Sequence, residues 1–107
     1  MKILLALLIS TAMCVTSNAY ALSDANKTPV RLGVNNSAGL AYFSVAETIS
    51  TTCIANVIWI VLDAAGNGKT AYASVLAAKV TGKQLKYFSY TKDGPGNCYL
   101  HQVEIAP

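Results

Sequence analysis

The run Cys53–Leu62 (CIANVIWIVL), followed by DAAGNGKT at 63–70 and AYASVLAAKV at 71–80, constrains the fold more than any other stretch of this chain. Val57, Ile58, Trp59, Ile60 and Val61 are β-branched or aromatic without a break. Such a run predicts a strand buried on both faces, or on one face and an interface. The period then changes. Tyr72, Val75, Leu76 and Val80 recur at helical spacing and predict one apolar helix face. Ala71, Ala73, Ala77 and Ala78 favour helix, and Gly82 stands where a left-handed C-terminal cap is needed. A strand, a glycine-rich turn ending in Gly-Lys-Thr and a helix also make the order of a phosphate-binding loop. That pattern requires a glycine at 63, where this chain has Asp63. A carboxylate there would repel phosphate instead of allowing the backbone to cradle it. No acidic residue ends a later parallel strand to hold magnesium. Nucleotide binding is therefore not expected, and Asp63–Gly68 reads as a turn. Asn67 or Gly68 would cap the helix, and Gly66 is free to take positive φ.

Four further strands surround this unit. Pro29–Val34 (PVRLGV) and Leu40–Ala46 (LAYFSVA) are separated by the turn cluster Asn35–Gly39. Gln84–Thr91 (QLKYFSYT) and Cys98–Ile105 (CYLHQVEI) are separated by Asp93–Asn97. Leu22–Thr28 is polar and reads as a frayed end. The fold class expected is mainly β with one helix, in the order β-β-β-α-β-β. That is the order of a small OB-like barrel, and a five-stranded open sheet with a helix on one face has the same string.

The first 21 residues, MKILLALLISTAMCVTSNAYA, carry one lysine, an apolar stretch and the small-residue pattern Ala19-Tyr20-Ala21. This is the layout of a bacterial secretory signal peptide, cleaved after Ala21. The apolar part is shorter than the roughly 20 residues that span a bilayer. Residues 22–107 then form a single domain in the periplasm or outside the cell. In that oxidising setting the two remaining cysteines, Cys53 and Cys98, are expected to pair. The alternative is a metal site, but two cysteines and a distant His101 lack the spacing of a zinc motif. No metal and no other cofactor is expected.

Eight basic and five acidic residues give a net charge of +3, with no run of like charge, which offers no footprint for nucleic acid. Catalysis finds little support, and the protein is read as non-enzymatic. His101 is the sole histidine, and alternation would place it on one face with Tyr99 and Val103. Asp24, Glu47, Asp63, Asp93 and Glu104 sit in loops or at strand ends, with no pairing legible in the sequence. Bridged cysteines leave no thiol nucleophile. Asn26-Lys27-Thr28 and Asn35-Asn36-Ser37 match the glycosylation acceptor pattern, which is a chance match behind a bacterial signal. The aromatics are more suggestive. Tyr42, Phe43, Trp59, Tyr72, Tyr87, Phe88, Tyr90 and Tyr99 lie mostly on expected strands. Core and subunit packing account for most of them, and exposed ones are suited to stacking on sugars. Tyr87 and Phe88 must point to opposite faces of one strand.

Cys53, the strand WIVLD (59–63), the helix YASVLAAKVTGKQLKYF (72–88) with its Thr81-Gly82-Lys83-Gln84-Leu85 step into a strand, and the late Cys98 together resemble small secreted bacterial proteins related to the B subunits of subtilase-type and pertussis-type toxins. The resemblance implies an OB-fold domain that assembles as a homo-oligomeric ring and binds cell-surface glycans. It assigns no sugar-binding residue here. The competing expectation is a periplasmic or secreted inhibitor or structural protein that works through protein contacts alone.

Overall fold

The computed structural model describes residues 20–62 and 67–107. Its elements are β1 (Tyr20–Lys27), β2 (Pro29–Asn35), β3 (Leu40–Val45), β4 (Ile58–Val61), α1 (Asn67–Thr81), β5 (Leu85–Lys92) and β6 (Cys98–Ile105). The fold is mainly β with one helix, as the sequence predicts. The six strands form one sheet in the order β1-β5-β6-β4-β3-β2. All neighbours are antiparallel except β4 and β6, which run parallel through Ile58–Cys98 and Trp59–Tyr99. The signal-peptide reading lies outside the described residues for 1–19, and so do Asp63 and Gly66 of the glycine-rich turn.

The strand count corrects the five expected. Residues 20–27 are not a frayed end but a strand, paired with β5 from Tyr20–Lys92 to Lys27–Leu85. Its sequence, YALSDANK, has little β propensity of its own. The backbone ladder to β5 and the Asp24 contacts described below supply what propensity does not. Only Thr28 separates β1 from β2, so the two outermost strands of the sheet are consecutive in the chain. With cleavage after Ala21 the strand keeps Leu22–Lys27.

Strict alternation builds the core. Ala41 and Phe43 of β3, Ile58 and Ile60 of β4, and Phe88 and Tyr90 of β5 are buried on one face, against Val75 and Ala78 of α1. Phe88 packs edge-on to Phe43 (ring centroids 5.7 Å apart) and stacks with Tyr90 (5.6 Å). Irregularities adjust this pattern. The β5–β6 register shifts between Leu85 and Tyr87, which lets Leu85 and Phe88 share the buried face. It shifts again where Ser89 pairs with Gln102 but Tyr90 with Leu100. His101 is the extra residue there. The bulge undoes the alternation expected of this strand: His101 is exposed, whereas Leu100 and Val103 both pack on the core.

β4 is shorter than the apolar run that encodes it. Ile54–Asn56 form a 3₁₀ turn in which Ala55 (φ 59°) and Asn56 (φ 61°) are left-handed. Cys53, just before it, is bridged to Cys98 at the start of β6, with Cα atoms 5.6 Å apart. Ile54 N–H also donates to Gly96 O (3.0 Å), so the entry to β4 is tied to the β5–β6 turn twice.

The helix turns a different face inward from the one its large residues suggest. Gly68, Val75 and Ala78 are buried, with Ala71 and Tyr72 packed at the margin. Leu76 is 42% exposed and Val80 75% exposed. Small residues win the inner positions because they bring the helix axis closer to the sheet. Gly68 is the extreme case: a Cβ at this position would run into the Val61 carbonyl oxygen. At the other end Gly82 takes the left-handed conformation (φ 72°). Its N–H donates to Lys79 O (3.3 Å), and the Lys83 N–H donates to Ala78 O (2.9 Å). These two bonds form a Schellman cap.

Candidate functional site

The chain between β3 and Cys53 is fastened to β1 by two carboxylates, one from each side. Glu47, on this connection, accepts from the Thr28 N–H (2.6 Å) and the Thr28 hydroxyl (2.7 Å). Gln84 Nε2 donates to the same Thr28 hydroxyl oxygen (3.2 Å). Asp24, on β1, accepts from the Ser50 N–H (3.1 Å), the Ser50 hydroxyl (2.8 Å) and the Tyr90 hydroxyl (2.6 Å). Each carboxylate thus satisfies a backbone N–H of the opposite segment. Thr28 marks the corner between β1 and β2, and its own carbonyl accepts from the Ala46 N–H (2.9 Å).

The ionisation of the two ends follows from these contacts. The Thr28 hydroxyl and N–H hold the Glu47 carboxyl below the usual glutamate range, and the Lys27 ammonium adds to the effect. Burial, followed by the hydrogen bond to Asp24, pushes the Tyr90 phenol well above its usual value. A depressed carboxyl stabilises the fold fully above the ordinary glutamate value of about 4.3, and that stabilisation is lost as the pH falls through the lower folded value. We therefore expect Glu47→Gln to lower stability at neutral pH by roughly 1 kcal/mol, because a neutral amide replaces a charged acceptor. The gap between wild type and variant should close below about pH 4. Urea titrations of both proteins between neutral and acid pH measure it, and a pH-independent gap would assign the loss to packing instead.

Beneath this fastened connection lies a pocket of about 230 Å³ lined by Ser44, Glu47, Thr48, Thr51, Thr52 and Asn56, among others. Ser44 is 7% exposed, the one polar residue among the described buried ones. Thr51 is held by the Lys92 ammonium, whose Nζ donates to its hydroxyl oxygen (2.9 Å). Asn56, whose backbone is left-handed like that of Ala55 before it, borders the same pocket, and non-glycine residues adopt that conformation at a cost met elsewhere in the structure. The pocket therefore offers hydroxyls, one amide and one carboxylate beside the apolar side chains of Val45, Ala46, Ile49 and Ile58, with no imidazole and no thiol in its lining.

The aromatics of the sequence divide between two faces. Phe43, Phe88 and Tyr90 are buried in the core. Tyr42, Trp59 and Tyr99 are half-buried on the opposite face, and register aligns them in one row: Tyr42 pairs with Trp59, and Trp59 with Tyr99. Tyr87 and Phe88 divide as expected, with Phe88 inside and Tyr87 half-buried. Ser44 is two residues from Tyr42 along β3, hence on the same face. Ser44 is the residue of the pocket lining that shares the row's face, whereas Val45 and Ile58 line the pocket from the core face.

His101 borders a second cleft of about 470 Å³ between the start of α1 and β6, lined largely by Ile60, Val61, Ala71, Leu100 and Val103. Its hydroxyls, Thr70 and Ser74, lie on α1, where the Ser74 hydroxyl donates to the Thr70 carbonyl (3.0 Å). Asp93 closes its own turn by accepting from the Gly96 and Asn97 N–H groups (2.9 and 2.8 Å). Glu104 forms an exposed pair with Lys86 (3.6 Å). Among the described residues no cluster of three or more His, Cys, Asp or Glu side chains could hold a metal ion. No helix among them is long and apolar enough to cross a membrane. Sequence reasoning missed Thr28, Ser44, Ser50 and the threonines of the 46–52 connection, and had no local signal by which to find them.

Neither a family model, a curated protein nor a solved structure matches the chain.

Proposed function

We propose that this chain is an exported, non-enzymatic carbohydrate-binding domain of OB-like architecture, related in kind to the glycan-binding B subunits of bacterial toxins. The observation that carries the reading is the pocket under the 46–52 connection. Its polar groups are Ser44, Glu47, Thr48, Thr51, Thr52 and Asn56, the hydrogen-bonding set suited to sugar hydroxyls. Its volume is below the roughly 300–1,000 Å³ of sites for drug-sized ligands and suits one sugar ring. The OB-like part of the reading rests on strand order. β1 and β2, joined through Thr28, act as two arms of one bent strand, one arm on β5 and the other on β3. With the parallel β4–β6 pair and the helix before β5, this is the OB order. The Cys53–Cys98 bridge supports export to the periplasm or beyond.

A second reading is a protein-interaction domain, with a second copy of this chain or a periplasmic target as partner. It is favoured by Val30 and Val34, 44% and 50% exposed on the outermost strand β2, and by Leu76 and Val80 on α1. The two readings are compatible if the copies form a ring. A glycan array probed with the mature protein, together with light scattering after size exclusion, separates them. Glycan hits that Glu47→Gln or Ser44→Val removes support the first. A strict monomer with no glycan signal overturns it. A stable oligomer with no glycan signal leaves the protein-contact reading.

A further inference from the structure

A pocket of about 230 Å³ leaves room for little more than one sugar ring, while three aromatic side chains line the outer face of the sheet. We propose that the row Tyr42–Trp59–Tyr99 is a second subsite, so that the ligand is an extended glycan and not a single sugar. This inference rests on the carbohydrate reading of the pocket. Three strands contribute one aromatic each, in direct register: Tyr42 opposite Trp59 and Trp59 opposite Tyr99. Neighbouring strands lie about 4.8 Å apart, so the row spans about 10 Å, close to the length of two linked sugar rings.

The local packing fixes the row in shape. Gly33 pairs with Tyr42, and a Cβ on Gly33 would collide with the Tyr42 ring, so only glycine lets this ring lie down against β2. The Arg31 guanidinium carbon stands 5.8 Å from the centroid of the same ring, within cation–π range. Trp59 meets Tyr42 at 5.4 Å with an interplanar angle of 71°. The two rings therefore make a corner and not a flat platform. A pyranose stacks its C–H face on one wall of such a corner and sets its edge against the other. On one side the face continues through the apolar pair Leu40 and Val61, and on the other through Ser44, which pairs with Arg31. Ser44 follows Tyr42 along β3 and leads into the pocket, and Thr91 pairs with Tyr99 on the far side. Among the described residues, the register from Ser44 through Tyr42 and Trp59 to Tyr99 carries no carboxylate. A hydroxyl-rich chain with C–H faces matches both halves of the path.

The test compares chain lengths. N-acetylglucosamine and galactose serve as monosaccharide probes, with chitotetraose and lacto-N-neotetraose as extended ones, in calorimetric titrations of the mature protein. Trp59 is the single tryptophan, so its emission reports directly on the proposed subsite. One tetrasaccharide should bind at least about tenfold tighter than its monosaccharide, the scale of one well-placed aromatic contact, and should shift Trp59 emission where the monosaccharide does not. Trp59→Ala should bring the tetrasaccharide down to monosaccharide affinity and leave the monosaccharide unchanged. If that variant fails to fold by circular dichroism, Tyr99→Ala at the row's end makes the same test. Equal affinities for both lengths with unchanged emission overturn the second subsite and leave the pocket standing. Binding by none of the four probes overturns both readings.

Discussion

Replacing both Cys53 and Cys98 with alanine is expected to lower stability by about 4 kcal/mol, the chain-entropy value for a cross-link of this span, and to bring the melting temperature down by about 20 °C. The bridge joins residues 45 apart, so its removal releases a long loop in the unfolded chain. The native-state effect adds to this. Cys53 leads into the left-handed turn at Ala55 and Asn56, which borders the pocket, and Cys98 opens the parallel contact with Ile58. Without the bridge, the Ile54–Gly96 hydrogen bond is left to hold the same junction. Calorimetry or urea unfolding of the double variant measures the loss. A change smaller than about 1 kcal/mol would mean that the junction is held by packing and that the unfolded chain retains structure. Alkylation of the native protein provides a companion measurement: thiol labelling at either position would contradict the bridge.

Gly68→Ala is the second large effect, and two opposing terms decide its sign. Alanine is favoured over glycine in a helix by up to about 1 kcal/mol, and by less at Gly68, which lies in the first turn of α1. Against this, the new Cβ would meet the backbone of the preceding strand: it would run into the Val61 carbonyl oxygen, with the Val61 carbonyl carbon 2.7 Å and Leu62 Cα 2.8 Å away. These are backbone atoms, which cannot swing aside as a side-chain end would. Overpacking of this kind costs roughly 1–3 kcal/mol, and here the upper end applies because α1 must lift from β4 as a unit. The net expectation is a loss of about 2 kcal/mol or more, read by thermal melts. Gly82→Ala is the matched control. Nothing lies within 4 Å of a Cβ there, and the strain comes only from the left-handed backbone (φ 72°), so the loss should be about 1 kcal/mol. A Gly68→Ala variant as stable as wild type would show that the helix start can shift without cost.

Gly68 also shows where the sequence was informative. The glycine-rich stretch after Leu62 looks like chemistry for phosphate, and its glycine next to Lys69 serves instead to let a helix touch a strand. The β2–β6 strands and α1 were legible because their apolar patterns are strong and their breaks carry glycine and asparagine. β1 was not legible, since YALSDANK owes its conformation to β5, some sixty residues on. The helix face was misread because alanine and glycine fill the tightest positions while Leu76 and Val80 look outward. His101 was misplaced by a one-residue bulge that leaves no mark in the sequence. The candidate site was the least legible part. Glu47 and Asp24 read as isolated carboxylates, and their partners lie 19 residues away at Thr28 and 66 residues away at Tyr90.

That last separation sets an order of events. β1 precedes its hydrogen-bonding partner β5 by most of the described chain, and the Tyr90 hydroxyl that engages Asp24 is 66 residues downstream. A nascent chain that has not yet released residues 85–92 has no ladder to offer its own beginning. The β2–β3 hairpin can close early and locally, whereas β1 must wait, unpaired, until the last third of the chain has emerged. Chains interrupted before β5 leave β1 unpaired and available to any other strand edge they meet.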